Sequence, residues 1–467
     1  MIEKRIVVPT RDETQSNYAY APIPVPEGIS RIDVAVEYDR GEDCAIDLGL
    51  ADPRFGVFPS REGFRGWSGS ARDRFFVASD DATPGYLPGP MPAGDWQLIL
   101  GLYRVPAGGT EIIIRVSFDA GSRGPWSGLP APVEVRREAE GWYRGDLHCH
   151  CWHSDAAGSP ETLHAAARQA GLDFLAVSDH NTVSHRRYFL PRSTPDLLFL
   201  RAMEVTTYDG HANAFGTDGW VDFRIDRPED VQAMAHEVRR QGGVLSINHD
   251  KPGLPWLHDW PGPDCMEVWQ HPWLARNWIS LEKWQHRLAA GERLPAIGGS
   301  DWHQPADLRP EGPYTLARPT TVLHLPELTE ASVLEAMKAG RGYITEAPDG
   351  PHLDLRIGEA WMGETARPSD PVRLDVRGAN GDILTLHDAG GKIAAIEIAG
   401  DDVMLTPDVS PRGFLRAEII AAGSRDRLLS EFRATFPAGL PWGLTEEEIA
   451  AQPLRRALSN PIWFDRP

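Results

Sequence analysis

The stretch Gly145-Asp-Leu-His-Cys-His-Cys-Trp-His-Ser-Asp155 places two histidines on alternate positions and an aspartate five residues after the second. Trp142 to His150 reads as a strand. Side chains alternate along a strand, so His148 and His150 share one face while Leu147 and Cys149 occupy the other. Two imidazoles on one face with a carboxylate close behind form a chelate for a divalent metal. In a chain with 16 histidines such a pair also arises by accident, so later segments must decide.

Five segments do so. Ser178-Asp179-His180-Asn181 follows the apolar run Asp173-Phe-Leu-Ala-Val177. Glu204 lies in Leu198-Phe-Leu-Arg-Ala-Met-Glu-Val-Thr206, with His211 just beyond in Gly210-His-Ala-Asn-Ala-Phe215. His249 ends Gly243-Val-Leu-Ser-Ile-Asn-His-Asp250, and Asp301 and His303 end Leu294-Pro-Ala-Ile-Gly-Gly-Ser-Asp-Trp-His303. Each is expected at the C-terminal end of a strand. In a parallel α/β barrel those ends converge on one rim, where active sites lie.

The elements that would position them are legible. Ser159-Pro-Glu-Thr162 offers an N-cap serine and a proline at the first helical position, with a stop at Gly171. Helical patterns over Pro228 to Arg240, Asn277 to Ala290 and Thr329 to Ala339 are each closed by glycine. The repeat of strand, helix, glycine and strand predicts a βα barrel rather than separate sheets.

The order HxH, Asp, SDHN, Glu, GH, NH and GSDxH, over roughly Trp142 to Thr345, resembles the PHP (polymerase and histidinol phosphatase) metal-dependent hydrolases. GDLHxH, SDHNT and ME-x-T are most similar to their CehA/McbA-like branch. The resemblance implies a distorted (β/α)7 barrel with two or three divalent ions: zinc, manganese or iron. By position, His148, His150, Glu204 and Asp301 would hold the first metal. Glu204 would bridge to a second on His211 and His249, and Asp155, His180 and His303 would hold a third. The chain departs from the usual family wording at Cys149, Cys151 and Asp250-Lys251.

Expected domains are a β-sandwich over 1–138, the barrel over 139–346, and a β-rich subdomain with a tail over 347–467. Short alternating runs such as Arg31 to Glu37, Trp96 to Leu100 and Glu111 to Ser117 suggest the sandwich. It is expected to cover one side of the barrel as a scaffold; the alternative is a carbohydrate- or partner-binding module. Gly121 to Pro130 reads as a linker or covering loop. Strands are expected again over His352 to Ile357, Pro371 to Val376 and Arg416 to Ile420, with a last one within Ala457 to Phe464.

No 18-residue apolar run predicts a membrane span, and the N-terminus lacks a signal-peptide core. Four cysteines in 467 residues do not suggest a disulfide framework, so a reducing cytoplasm is the expected location. A net charge of −20 argues against nucleic-acid and anionic-membrane partners. A small-molecule substrate is expected, and the oligomeric state is not legible.

Imidazoles and carboxylates suit zinc, iron or manganese, and such ions lower the pKa of bound water toward neutrality. A hydroxide bridging the metals would be the nucleophile, with Asp301 as the catalytic group that accepts its proton. Three carboxylates and a hydroxide against three divalent ions leave a site charge of roughly +2, which favours a phosphoester. With two ions the sum is roughly zero, and a neutral amide, carbamate or carboxyl ester is equally suited. Lys251 and Arg187 (with Arg186 beside it) are the candidate phosphate-binding residues, on rim loops. Trp256, Trp260, Trp269, Trp273, Trp278 and Trp284 crowd one segment beside the same rim. They either receive an aromatic or sugar-like group or pack loops together.

Overall fold

Alternating burial along the first strands sets the N-terminal architecture. The computed structural model describes residues 1–121, 123–124, 128–304, 315–435 and 444–464, so the expected linker over Gly121 to Pro130 lies partly outside the described residues. One antiparallel sheet orders Ile2–Val8, Thr110–Asp119, Arg31–Glu37 and Arg74–Ala78. A second orders Tyr18–Val25, Gly94–Arg104, Ala45–Ala51 and Phe64–Gly69. Ile32, Val34 and Ile114 of the first share one core with Leu48, Trp96 and Leu98 of the second, the two-layer packing of a sandwich.

From Gly141 onward the chain is mixed α/β and mostly sheet. Leu198–Leu200, Phe174–Val177 and Gly141–Cys149 run parallel. Thr320–Leu325 then joins Gly141–Cys149 antiparallel, and Gly342–Thr345 follows it. A five-stranded sheet holds Ala202–Thr207, Gly210–Phe215, Val244–Ile247, Cys265–Gln270 and Ala296–Gly299. Its first three strands are antiparallel neighbours and its last two pairings are parallel.

The expected (β/α)7 barrel is therefore not found as a closed parallel sheet among the described residues. The physical reason is local. Only Tyr208 and Asp209 separate the strand of Glu204 from that of His211, too short for a crossover helix, so the two must pair antiparallel. The two sheets meet through isolated bridges, Cys149 with Trp302 and His180 with Glu204. Asn181 reinforces the second, its side-chain amide giving and taking hydrogen bonds with the Thr206 backbone at 2.8 Å each.

Helices stand where their capping chemistry placed them. Ser159 accepts from the Thr162 N–H ahead of Pro160–Gln169, and Thr329 accepts from Ser332 ahead of Glu330–Ala339. Val231–Arg240 and Asn277–Ala289 fill the other two expected places. Among the described residues no helix is long and apolar enough to cross a membrane.

The larger sheet continues past residue 346. Arg455–Ser459 pairs with Gly342–Thr345, and Phe414–Ile420, Ile383–Asp388 and Gly391–Glu397 extend it further. A four-stranded sheet containing His352–Ile357 and Val372–Arg377 shares a core with that extension. The N-terminal sandwich is docked through apolar contact. Tyr18, Phe64, Trp67 and Ile99 pack with Met203, Val205, Ala212 and Phe223 in one cluster. Phe64 stacks on Trp220 with ring centroids 4.2 Å apart, and Ser60 N–H donates to Asp222 at 2.8 Å.

Candidate metal centre

Strand alternation does what the sequence implies at the first motif. Leu147 and Cys149 enter apolar clusters, while His148 and His150 are buried on the opposite side beside acidic groups. Nε2 of His148 lies 3.3 Å from Oε1 of Glu204 and 3.3 Å from Oδ1 of Asp301. Nε2 of His150 lies 3.0 Å from the same Asp301 oxygen and 3.6 Å from Oε2 of Glu204. His211 Nδ1 and His249 Nε2 approach Glu204 Oε1 at 3.3 and 3.4 Å. On the outer side, Asp155 Oδ1 stands 3.5 Å from Nε2 of His180 and 3.4 Å from Nε2 of His303.

All nine candidate ligands thus come together, and their donor atoms fall into overlapping groups within 4.8 Å. One is His148, His150 and Asp301; a second is Glu204, His211 and His249; an outer, more exposed one is His150, Asp155, His180 and His303. Nε2 of His148, both ring nitrogens of His150, Oε2 of Glu204 and Oδ1 of Asp301 are buried and make no hydrogen bond. Buried polar atoms are almost always paired. Unpaired nitrogens and carboxylate oxygens facing one another are the arrangement that divalent cations satisfy, so the donor set fits the metals that the sequence implies.

The imidazoles are held from behind. Glu267, a carboxylate missed in the sequence reading, lies 2.8 Å from Nδ1 of His148. An ionised carboxylate only accepts, so Nδ1 carries the proton and Nε2 is left bare. His180 Nδ1 sits 2.5 Å from Thr206 Oγ1, and His303 Nδ1 donates to the Asp301 carbonyl at 2.8 Å. Gln270 donates to Asp301 Oδ2 at 2.6 Å, and Asn248 to Glu204 Oε1 at 2.8 Å. His271, also unforeseen, places Nε2 3.7 Å from Asp301 Oδ2. Glu267 and Gln270 lie inside Cys-Met-Glu-Val-Trp-Gln270, a strand with no neighbouring motif to single them out.

Electrostatics follow from the crowding. Burial alone would raise the Glu204 carboxyl, but His148, His180 and His211 drive it well below the ordinary range. Burial, with His303 and His180 adding like charge, pushes His150 down to about 4, so it is the neutral ligand form at pH 7. The backbone is strained at two candidate ligands: His249 and Asp301 have φ of 29° and 49°, in the left-handed region.

His211 is the second residue of an antiparallel strand and Glu204 is mid-strand, so these two do not sit at strand C-termini as expected. Both still meet the others because Glu204 pairs with Asn213, placing His211 diagonally on the same face. Cys149 and Cys151 donate instead to the Ala176 carbonyl and to Asp179. Lys251 is buried, not on an exposed rim loop, and its ammonium donates to the Gln270 carbonyl and to Asn277 Oδ1. Burial lowers it to about 7 against the opposing pull of Glu267 and Asp301. Arg187 is partly buried and faces Asp81 at 3.8 Å; Arg186 is buried against the Thr217 and Ala202 carbonyls. Of the six tryptophans, Trp269, Trp273 and Trp284 lie in a core with Trp260 and Trp278 packed on it, while Trp256 packs on the sandwich interface. They pack elements together.

Gly299 makes the close approach possible. A Cβ there would lie 2.4 Å from the His148 Cβ and 3.0 Å from Glu267 Oε1. Gly299→Ala should therefore lower the melting temperature of the metal-free protein, reflecting about 1–3 kcal/mol of overpacking. An unchanged melting curve would mean that the two strands have slack there.

No family model matches the sequence, and no curated protein matches it. Among solved structures, partial likenesses exist. One is a two-domain protein from Bacteroides vulgatus ATCC 8482 described as containing a predicted PHP-like metal-dependent phosphoesterase. It is 16% identical, covering 63% of this chain and 95% of that one with a TM-score of 0.36. Another is an amidohydrolase from Chromobacterium violaceum with bound sulfate and no metal, 15% identical over 34% of this chain and 88% of that one, TM-score 0.25. A third is an FMN-binding beta-glucuronidase from Facaelibacterium prausnitzii L2-6, 9% identical over 86% and 88%, TM-score 0.22.

Proposed function

We propose that this chain is a metal-dependent hydrolase of the PHP type, acting on a small molecule. The observation that carries the reading is the convergence of nine histidine and carboxylate side chains, of which His148, His150, Glu204 and Asp301 each bury a donor atom that makes no hydrogen bond. His148, His150, Glu204 and Asp301 would hold one ion, Glu204 with His211 and His249 a second, and Asp155, His180 and His303 a third. Divalent ions there would polarise a water molecule and lower its pKa toward neutrality. Asp301 is the proton carrier in this reading. Gln270 orients its carboxylate through Oδ2, and that carboxylate would accept a proton from the attacking water and return it to the leaving group. Thr206 and the Asp301 carbonyl fix the outer imidazoles so that their Nε2 atoms stay available.

A phosphoester is the first substrate class, on the charge sum for three ions. A neutral amide, carbamate or carboxyl ester is the second, and Glu267 favours it. Its carboxylate adds one buried negative charge, taking the three-ion sum to roughly +1 and the two-ion sum to roughly −1. The buried, hydrogen-bonded Lys251 gives a phosphate no ready grip, which also weighs toward the second class. Four free, buried cysteines suit a reducing compartment such as the cytoplasm.

The test is a side-by-side assay of nitrophenyl phosphate, bis-nitrophenyl phosphate and a nitrophenyl carboxyl ester on protein of known metal content. At least two ions per chain and a preference of about tenfold or more for a phosphoester are expected. Equal rates on charged and neutral compounds would overturn the phosphate preference. Fewer than one ion per chain would overturn the hydrolase, and bound ions without turnover on any of the three compounds would overturn its ester readings.

A further inference from the structure

The N-terminal sandwich meets the ligand clusters at the turn Cys151 to Asp155. The backbone groups of that turn divide between two holders. From the protein interior, Asp179 accepts the N–H of Cys151 at 3.0 Å, the N–H of Ser154 at 3.2 Å and the Ser154 hydroxyl at 2.6 Å. From the sandwich, Arg72 donates Nη1 to the Ser154 carbonyl at 3.1 Å and Nη2 to the Trp152 carbonyl. Gly85, also of the sandwich, presses so near that a Cβ would stand 2.8 Å from the His153 carbonyl. The Gly85 carbonyl accepts from Thr182 Oγ1 at 2.8 Å and its N–H donates to Ser184 Oγ at 3.1 Å. These bonds lock the same segment to the loop that follows His180.

Asp155 comes immediately after the held carbonyl, and half of its side chain is exposed. Side-chain packing does little to place it; the backbone of the turn must. We propose that Arg72 is a positioning residue for the outer cation site. By holding the carbonyls of Trp152 and Ser154, it fixes the Asp155 carboxylate opposite His150, His180 and His303. The sandwich is then a working part of the metal centre rather than a cover, and the outer ion is retained only while the sandwich is docked. The inference rests on the metal-centre reading above but not on which bond is hydrolysed.

A competing effect has the opposite sign. Arg72 carries a positive charge near a cation site, so its charge alone would weaken ion binding and its removal would strengthen it. Two substitutions separate the effects. Arg72→Met removes both the fork and the charge, whereas Arg72→Lys keeps the charge but replaces the rigid fork with a single ammonium on a shorter reach.

The experiment strips the full chain of metal and titrates it with Mn2+ by calorimetry, with bound ions counted after gel filtration. Asp155→Asn identifies the outer site as the binding class that it removes. Arg72→Met should weaken that class by about tenfold or more and leave the inner ions unchanged. Arg72→Lys should fall between Arg72→Met and the parent chain. Arg115→Met, whose guanidinium bonds Glu3 and Glu37 and, among the described residues, none of the Cys151 to Asp155 turn, should match the parent. If Arg72→Met fails to fold by near-UV circular dichroism, Arg72→Lys decides alone. Unchanged or tighter outer binding in the folded variants overturns the proposal, as does an Asp155→Asn variant that loses no binding class. Intact ion classes with no turnover on any ester, amide or carbamate would instead sink the hydrolase and leave the role of Arg72 standing.

Discussion

Glu204→Gln should reduce turnover on the order of a thousandfold or more and abolish the rise in melting temperature that added metal gives the parent chain. Residues one layer behind a metal ligand cost about 10- to 100-fold when removed. Glu204 stands in front of that layer. Its Oε1 is approached by His148, His211 and His249, and its Oε2 by His150 and His180. A neutral amide of the same shape withdraws the carboxylate that, in the proposed reading, both inner ions would share. The fold should survive, because the neighbouring side chains Met203 and Val205 point the other way into the sandwich interface. Asn248 can still donate to the remaining carbonyl oxygen. The measurement pairs a kinetic assay with melting curves at rising Mn2+. The parent should gain about 2.7 kcal/mol at a hundredfold excess over the dissociation constant, and the variant much less. Parental activity, or a parental metal-dependent shift, would remove Glu204 from the centre of the site.

Why the site was more legible than the fold can be seen in particular residues. His148 and His150 declare themselves because a strand puts alternate residues on one face, a rule that holds whatever the strand pairs with. His180, His249, Asp301 and His303 follow apolar runs, and strand ends are readable from composition alone. Pairing direction is another matter. Asp209-Gly210 is a hairpin signal of the Asp-Gly kind, yet His211 beyond it is expected at a strand end, whereas it opens an antiparallel strand. Sheet continuity across residue 346 depends on Arg455–Ser459 reaching back to Gly342–Thr345 over more than a hundred residues, which no local pattern encodes. Lys251 is expected on a rim loop, free to bind phosphate, because a lone lysine is usually exposed; Asn277, on a helix 26 residues later, satisfies it in the interior. Arg72 was hidden for the same reason: its partners are backbone carbonyls, which have no sequence signature.

Glu267 shows the same blindness in its sharpest form, and Glu267→Gln measures its worth. The carboxylate is buried to 1% exposure, and both oxygens are used as acceptors. Oε1 takes the Nδ1 proton of His148 at 2.8 Å, and Oε2 takes the backbone N–H of His249 at 3.1 Å. One group therefore fixes the tautomer of one ligand and the strained backbone of another, on two different strands. Glutamine has a single acceptor oxygen and turns an N–H toward whichever donor it cannot serve. In a dry site an unsatisfied donor costs about 1–3 kcal/mol. Either His148 loses its tautomer or His249 loses the bond that supports its positive φ. Affinity for the inner ions should fall about 10- to 100-fold, and turnover should recover as Mn2+ is raised, because every ligand is still present. Recovery with metal is what separates this variant from Glu204→Gln, whose defect added metal cannot repair. Glu267→Asp keeps the charge but is one methylene too short to reach both donors, so it should lie between glutamine and the parent. If Glu267→Gln bound metal with parental affinity, His148 would have to be oriented by its strand alone. The bare Nε2 that faces Glu204 and Asp301 would then owe nothing to the carboxylate behind it.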